Sequence, residues 1–517
     1  MEASSRVTGG NYRTQRSALN WVAGVAVSIT TIAIAFVTTP LLLRFLGAER
    51  FGATRAAADW FGHLSILELG LGGALAPLLA LALGRGDEER MRRTLAAGIR
   101  AFVNVALVAA AAGLVITLFI GRLVPVAPEL LRDLRIACLI GTAGLLLYPL
   151  APFRQLADAS QRGYAIHRTA FAQSLVTTLL AVALAWHGLG ISGQFAALVA
   201  GQVVFAVVIT RDGLARHRGV LAESFAGPVD VEARAAIRRL NVPSLLFDLS
   251  SRAGLLTDNI VIALVLGPSA VVPLFLTQRL PQLAQGQLQG VGNASWAALG
   301  ELHALGRHDV FNARLVELTR LVAALSLAAL VPIAAYNHAF VNLWVGREHF
   351  GGSAVTALAA VNAFMLALVS LWGWCFSGTG RIAALVPVMM ISSALNLALS
   401  VAGAFAFGLP GPLLGTAVAI AGTTLWYLPA RLHREFGTPL GELARAVAMP
   451  LAWATLPALG IGWLARTSPP SSWPALAVET AAAGALMLAI WWFFELSAPE
   501  REHYSGRLRM VLARKAG

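Results

Sequence analysis

Between Leu276 and Trp296 the chain reads "LTQRLPQLAQGQLQGVGNASW". Arg279, Gln282, Gln285, Gln289 and Asn293 recur there every three or four residues, so a helix would carry them as one continuous polar stripe. A guanidinium pairs bidentately with a phosphate, and a run of amides offers both donors and acceptors to hydroxyls. Hydrocarbon solvates none of these groups. Within a membrane the stripe therefore either lines a wet path or forms a polar seam between helices. Its length and its arginine favour the path.

Two further stretches carry charge into apolar surroundings. "FGATRAAADWFGHLSILELG" (51–70) holds Arg55, Asp59, His63 and Glu68, and a bilayer centre penalises each charge by roughly 2.5–3.5 kcal/mol. Arg55 and Asp59 stand one helical turn apart near the outer end, where they make an interfacial ion pair or open the mouth of a path. Glu68 is too deep for an interfacial position; it lines the path or is held between helices. "NVPSLLFDLSSRAGLLTDNIVIALVLG" (241–267) places Asp248 and Arg252 at i,i+4, followed by Asp258 and Asn259. Arg252 falls near the midplane, where it pairs with Asp248 to order the bundle or faces the path. Arg252 and Arg279, with Arg55, are thus candidates for an anionic group. Gln282, Gln285, Gln289, Asn293 and Glu68 are candidates for a polar cargo. Glu68, Asp59 and Asp258 would bind a coupling cation or balance the arginines.

The elements that position these residues are membrane spans. The chain has 517 residues, 57% apolar and only 13% charged, with a mean hydropathy of +0.70. Soluble domains carry roughly 25% charged residues, so a water-facing surface cannot be built from this composition. Fourteen windows are long and apolar enough to cross, at 18–44, 56–84, 94–121, 133–153, 164–187, 190–210, 241–267, 269–299, 314–337, 353–378, 382–408, 410–430, 443–465 and 474–496. With the N-terminus inside, the inner segments hold 26 Lys and Arg residues and the outer ones seven. That asymmetry predicts both termini in the cytoplasm. The net charge of +13 follows from it, and scattered short loops argue against nucleic-acid binding. The expected organisation is a cytoplasmic tail (1–17), an N-lobe of six helices (18–210) and a cytoplasmic linker (211–240). A C-lobe of six helices (241–430), two further helices (431–496) and a basic cytoplasmic tail (497–517) follow.

An internal repeat supports the two lobes. Asn20 and Asn241 open corresponding spans, "LG" at 46–47 recurs at 266–267, and "LGRGD" at 83–87 recurs as "LGRHD" at 305–309, all at offsets of 220 to 222. Six spans per half, both starting inside, make a parallel repeat of the kind that encloses a midplane path. Catalytic and cofactor signatures are missing. "GLGISG" (188–193) lies in a short outer turn with no preceding strand, and Lys515 is the only lysine, so no Walker A loop exists. "NAS" at Asn293 is inside a span, Cys138 and Cys375 suggest no disulfide framework, and no cofactor or metal is expected.

"PLLLRFLGAERFG" (40–52), "LELGLGGAL" (67–75) and "LGRGDEERMRRTL" (83–95) resemble the opening of the polysaccharide and oligosaccharide-lipid flippases. "TDNIVIALVLGPSAVVPLFLTQRL" (257–280) resembles the start of their second lobe. Their superfamily also holds multidrug/cation antiporters and the lipid II flippase. The resemblance covers most of 18–430 and implies two six-helix lobes rocking about a central cavity, with two extra helices forming a groove for a lipid tail in the lipid II branch. Glu68 stands where the family pattern leads one to expect Asp. An all-α inner-membrane transporter that flips a polyprenyl-diphosphate-linked oligosaccharide outward is the reading that results. Its partners are that lipid-linked glycan, membrane lipids and a glycan polymerase or glycosyltransferases of the same pathway. A cation-coupled multidrug exporter would centre on carboxylates and apolar residues instead. A glycan polymerase or ligase needs a large outer loop, whereas the largest outer segment here is 338–352.

Overall fold

The computed structural model describes residues 2–217 and 257–498, together with Ala235, 500–502 and 505–506. No strand occurs among the described residues, which are helical apart from short connections. Alanine- and leucine-rich segments in lipid must satisfy every backbone group internally, which a helix does. The all-helical membrane fold expected from the sequence is what is found.

In chain order the helices are α1 (Glu2–Leu64), α2 (Ile66–Gly84), α3 (Glu88–Leu123), α4 (Pro128–Leu145), α5 (Ala151–Ala159), α6 (Gly163–Trp186), α7 (Ile191–Arg216) and α8 (Thr257–Leu266). Then follow α9 (Val271–Ala304), α10 (His308–Val345), α11 (Ser353–Gly378), α12 (Val386–Phe407), α13 (Gly411–Gly422), α14 (Thr424–Phe436), α15 (Leu440–Thr467) and α16 (Trp473–Ile490). Among the described residues, eleven helical segments are long and apolar enough to cross a membrane. They correspond to eleven of the fourteen expected windows. Window 241–267 lies for the most part outside the described residues, while 56–84 and 269–299 do not reach the same apolarity in one long helix.

By packing, the chain forms two compact units, Met1–Val272 and Pro273–Gly517. The first has a core of Leu71, Leu75, Leu79, Met91, Phe102 and Phe153. In the second, Phe311, Leu315, Leu368, Trp372, Phe376 and Phe436 pack together. Small residues bring α12 and α13 into backbone contact, where a Cβ on Gly415 would lie 2.5 Å from the Ser400 nitrogen. Asn396 Oδ1 accepts from Ser400 Oγ (2.9 Å) and Thr416 Oγ1 (3.0 Å) in the same seam.

One boundary differs from the sequence reading. An outer connection was expected over 45–55, but helix α1 runs through it with a single break at Gly47 (φ 76, ψ 167). Such a conformation suits glycine alone, so one residue makes the whole turn. A second break falls at Ser65, between α1 and α2. The repeat is visible in the backbone. Positive φ recurs at Gly47 and Gly267, Gly86 and Gly306, Gln161 and Gly380, and Gly188 and Gly408. These pairs are 219 or 220 residues apart.

Candidate functional site

The first unit gathers part of the predicted set where the second half of α1 meets α8 and the turn after it. Gly52, Ala53, Ala56 and Ala57 are buried and give α1 a flat face. A side chain on Gly52 would overlap the carbonyl of Pro268, so the helix and the Pro268–Ala270 turn touch through their backbones. Farther along the same face, Asn259 Nδ2 donates to Asp59 Oδ2 at 2.8 Å. His63 Nδ1 donates to the Asp59 carbonyl oxygen, also at 2.8 Å. Asp258, next to Asn259, has a buried Oδ1 with no hydrogen-bond partner among the described residues. Asp59 and Asp258 lie within electrostatic reach of each other, with Arg55 and His63 flanking Asp59. The Arg55 guanidinium stands over the Phe51 ring, 5.2 Å from its centroid.

Because α1 resumes directly after Gly47, Arg55 and Asp59 are about 12 and 18 Å along it, deeper than an outer turn at 45–55 would put them. Glu68 lies on α2, past the break at Ser65; its side chain is outside the described residues, as is Arg252.

The second unit carries the amide stripe on α9. Its buried side is fixed by polar contacts: Thr277 Oγ1 accepts from the Gly351 amide (2.7 Å), and Asn337 Nδ2 donates to the Thr277 carbonyl (2.8 Å). Pro281, Leu288, Gly292 and Leu299 continue that buried side. The other side is open. Gln282 and Asn293 are exposed, Arg279, Gln285 and Gln289 are half-buried, and none of the described residues lies within 4 Å of where a Cβ on Gly286 or Gly290 would stand. Gln282 Nε2 donates to Gln278 Oε1 at 2.9 Å. Arg279 sits over Phe275, 5.9 Å from the ring centroid, and has no ion-pair partner among the described residues. Arginine and amides thus share one face with unspent donors, able to take phosphate and hydroxyl oxygens.

The sequence reading missed Asn337, fully buried and donating across to α9. It also missed Glu495, whose buried carboxylate oxygens have no hydrogen-bond partner among the described residues. An acid inside the last apolar window was the available signal for the latter.

An all-helical bundle of apolar spans with an internal repeat is the build of a multi-pass membrane protein. Residues 17–296 match the sequence pattern of the polysaccharide biosynthesis protein family, and the chain belongs to that family. The uncharacterized membrane protein EpsK of Bacillus subtilis is 22% identical over 485 residues, 89% of this chain and 91% of that protein. Among solved structures, the lipid II flippase MurJ in an inward closed conformation superposes with a TM-score of 0.70 at 13% identity, over 91% of this chain and 99% of the other. An inward-facing multidrug resistance MATE transporter of the MOP superfamily gives 0.57 at 15% identity, over 87% and 99%. A MOP superfamily transporter from Pyrococcus furiosus gives 0.58 at 14%, over 86% and 95%.

Proposed function

We propose that this protein moves a polyprenyl-diphosphate-linked oligosaccharide from the cytoplasmic to the outer leaflet of the inner membrane, by alternating access and with both termini in the cytoplasm. The observation that carries the reading is the open face of α9, where Arg279 and the amides of Gln282, Gln285, Gln289 and Asn293 stand together. A diphosphate needs cationic donors and a sugar needs mixed donors and acceptors. Neither crosses hydrocarbon unaided, since burying unpaired charge is prohibitive. Family membership and the likeness to a lipid II flippase support the same cargo class. Arg252 would join Arg279 on the diphosphate, and the polyprenyl tail would stay in lipid.

Asp59 and Asn259 belong to opposite halves of the repeat, so the contact between α1 and α8 would part when the outer side opens. The carboxylates of Asp59, Asp258 and Glu68 would then serve a coupling cation. The same carboxylates suit a cation-coupled multidrug exporter, which is the second reading. In cells whose own copy is deleted, Arg279→Ala and Arg252→Ala should each lower surface glycan at least about tenfold with protein level unchanged, as loss of a charged hydrogen bond predicts. Normal surface glycan with both variants would overturn the reading. Drug efflux abolished by Glu68→Gln, with glycan intact, would establish the exporter.

A further inference from the structure

The first unit holds a cavity of about 300 Å³ between the ends of α4 and α7 and the start of α6, with neither Asp59 nor any α9 residue in its lining. Its origin is a broken helix. Helix α4 stops at Leu145, a single 3₁₀ turn spans Tyr148–Leu150, and α5 restarts at Ala151. Pro149 and Pro152 lack the backbone donors that would carry one helix through. The displaced chain leaves room beside Ala170 and Ala206, whose small side chains do not fill it.

Most of the wall is apolar, formed by Leu147, Leu150, Ile166 and Ile209, but Arg154, Gln173, Gln202 and Tyr148 converge on the same space. Arg154 lies over the Phe205 ring at 6.0 Å, which holds its guanidinium at the cavity. Arg154, Gln173 and Gln202 make no side-chain hydrogen bond to the described residues; Gln173 and Gln202 are half-buried, where a polar group without a partner is costly, and Arg154 is exposed. Gly144 leaves the Gln202 amide its place, since a Cβ there would come within 3.1 Å of Oε1. The surrounding charge is positive. Asp212 is taken up by Arg162 and Arg216, and Asp158, one turn beyond Arg154, is the other carboxylate nearby.

We infer that this cavity binds the phosphate of a lipid. Arg154 takes the phosphate bidentately, and the Gln173 and Gln202 amides take its remaining oxygens or neighbouring hydroxyls. The apolar wall receives the first carbons of the chain. A cavity near the small end of ligand pockets, about 300 Å³ upward, fits a headgroup and no more, so the tail continues into the bilayer. Both a resident anionic phospholipid and a polyisoprenyl diphosphate present this chemistry. No α9 residue lines this cavity.

The test uses full-length protein in phosphatidylcholine nanodiscs doped with phosphatidylglycerol or with a polyisoprenyl diphosphate, read by native mass spectrometry. Wild type should retain the doped phosphate lipid. Arg154→Ala and Gln202→Leu should each lower retention, the former about tenfold or more, and Ala170→Trp should abolish it by filling the space. Whichever dopant displaces the other identifies the source. Because α9 is also proposed to hold a diphosphate, retention of phosphatidylglycerol is the readout for this cavity, which separates a failure here from a failure of the transport reading. All variants are first checked for the monodisperse elution and melting temperature of the wild type. Equal retention by wild type, Arg154→Ala and Gln202→Leu would overturn the inference, as would displacement of the lipid by millimolar inorganic phosphate.

Discussion

The meeting of α1 with α8 and the open face of α9 are both polar interruptions of apolar sequence, yet they are built in opposite ways. At the first, glycine and alanines bring backbones into contact and Asp59 is bonded to a side chain 200 residues away. At the second, glycines open space, and an arginine and several amides keep unused hydrogen-bonding capacity. The Asp59–Asn259 bond ties the elements into a joint, although Asp258 beside it keeps a buried oxygen without a partner among the described residues. The α9 groups that wait for a partner make a surface for something else. The same residue type therefore has contrary meanings: Gly52 admits a neighbouring backbone, whereas Gly286 faces none of the described residues within 4 Å.

The largest effect should come from reversing charge on the open face. Arg279→Glu should reduce export of lipid-linked glycan by roughly a hundredfold or more, because it removes a charged hydrogen bond and adds repulsion of an anionic cargo. Arg279→Lys should restore part of it, having the charge without the fork. Equal export by all three proteins would make α9 a bystander. The two glycines come next. Gly52→Ala should cost about 1–3 kcal/mol through forced separation of α1 from Pro268, read as a lower melting temperature in detergent. Gly286→Ala should leave melting unchanged or raise it by up to about 1 kcal/mol from helix propensity. A drop in melting with Gly286→Ala would erase the contrast.

How far the sequence could be read follows the same division. The α9 stripe is periodic, so its membership and its common face are legible from spacing alone. The turn glycines of the repeat are legible too, because "LG" at 46–47 and 266–267 marks the same backbone conformation twice. The α1–α8 joint is not. Gly52 looks like any small residue in "FGATRAAA", and nothing near it announces Pro268 as its neighbour. Arg55 is one helical turn from Asp59 and interacts with it, as spacing suggests, but the second partner, Asn259, is set by tertiary packing. Asn337 is hidden for the same reason, its acceptor lying 60 residues back at Thr277. The cavity at Arg154 arises from a helix break. Pro149 and Pro152 hint at it, but only packing decides that Gln173 and Gln202 face the gap.

A smaller effect separates bonding from charge at the joint. Asp59→Ala removes the acceptor for Asn259 and should destabilise by about 0.6–1.7 kcal/mol, the range of side-chain hydrogen bonds within membranes. Asp59→Asn keeps an acceptor oxygen and should melt as the wild type does. If Asp59→Asn also transports normally, the residue is a tie; if it melts normally and fails to transport, the charge itself is used for coupling.

The smallest effect lies at the far end of the second unit. Burial opposes ionisation of Glu500, but hydrogen bonds from Arg320 and from the amide and hydroxyl of Ser497 outweigh it and hold the carboxyl below the ordinary glutamate range. A carboxyl depressed in the folded protein stabilises at pH above its unfolded value and loses that contribution as pH falls through the folded one. Glu500 is about one-third exposed, with 35% of its side-chain surface accessible, and solvent screening limits the gain to under about 1 kcal/mol. Glu500→Gln should therefore lower the melting temperature slightly at pH 7, and the difference should shrink as pH falls below the ordinary glutamate range and through the folded value. Unlike the Asp59 tie, this one should weaken with salt, since its partners stand near water. A salt-independent difference at pH 7 would put Glu500 with the buried joints instead.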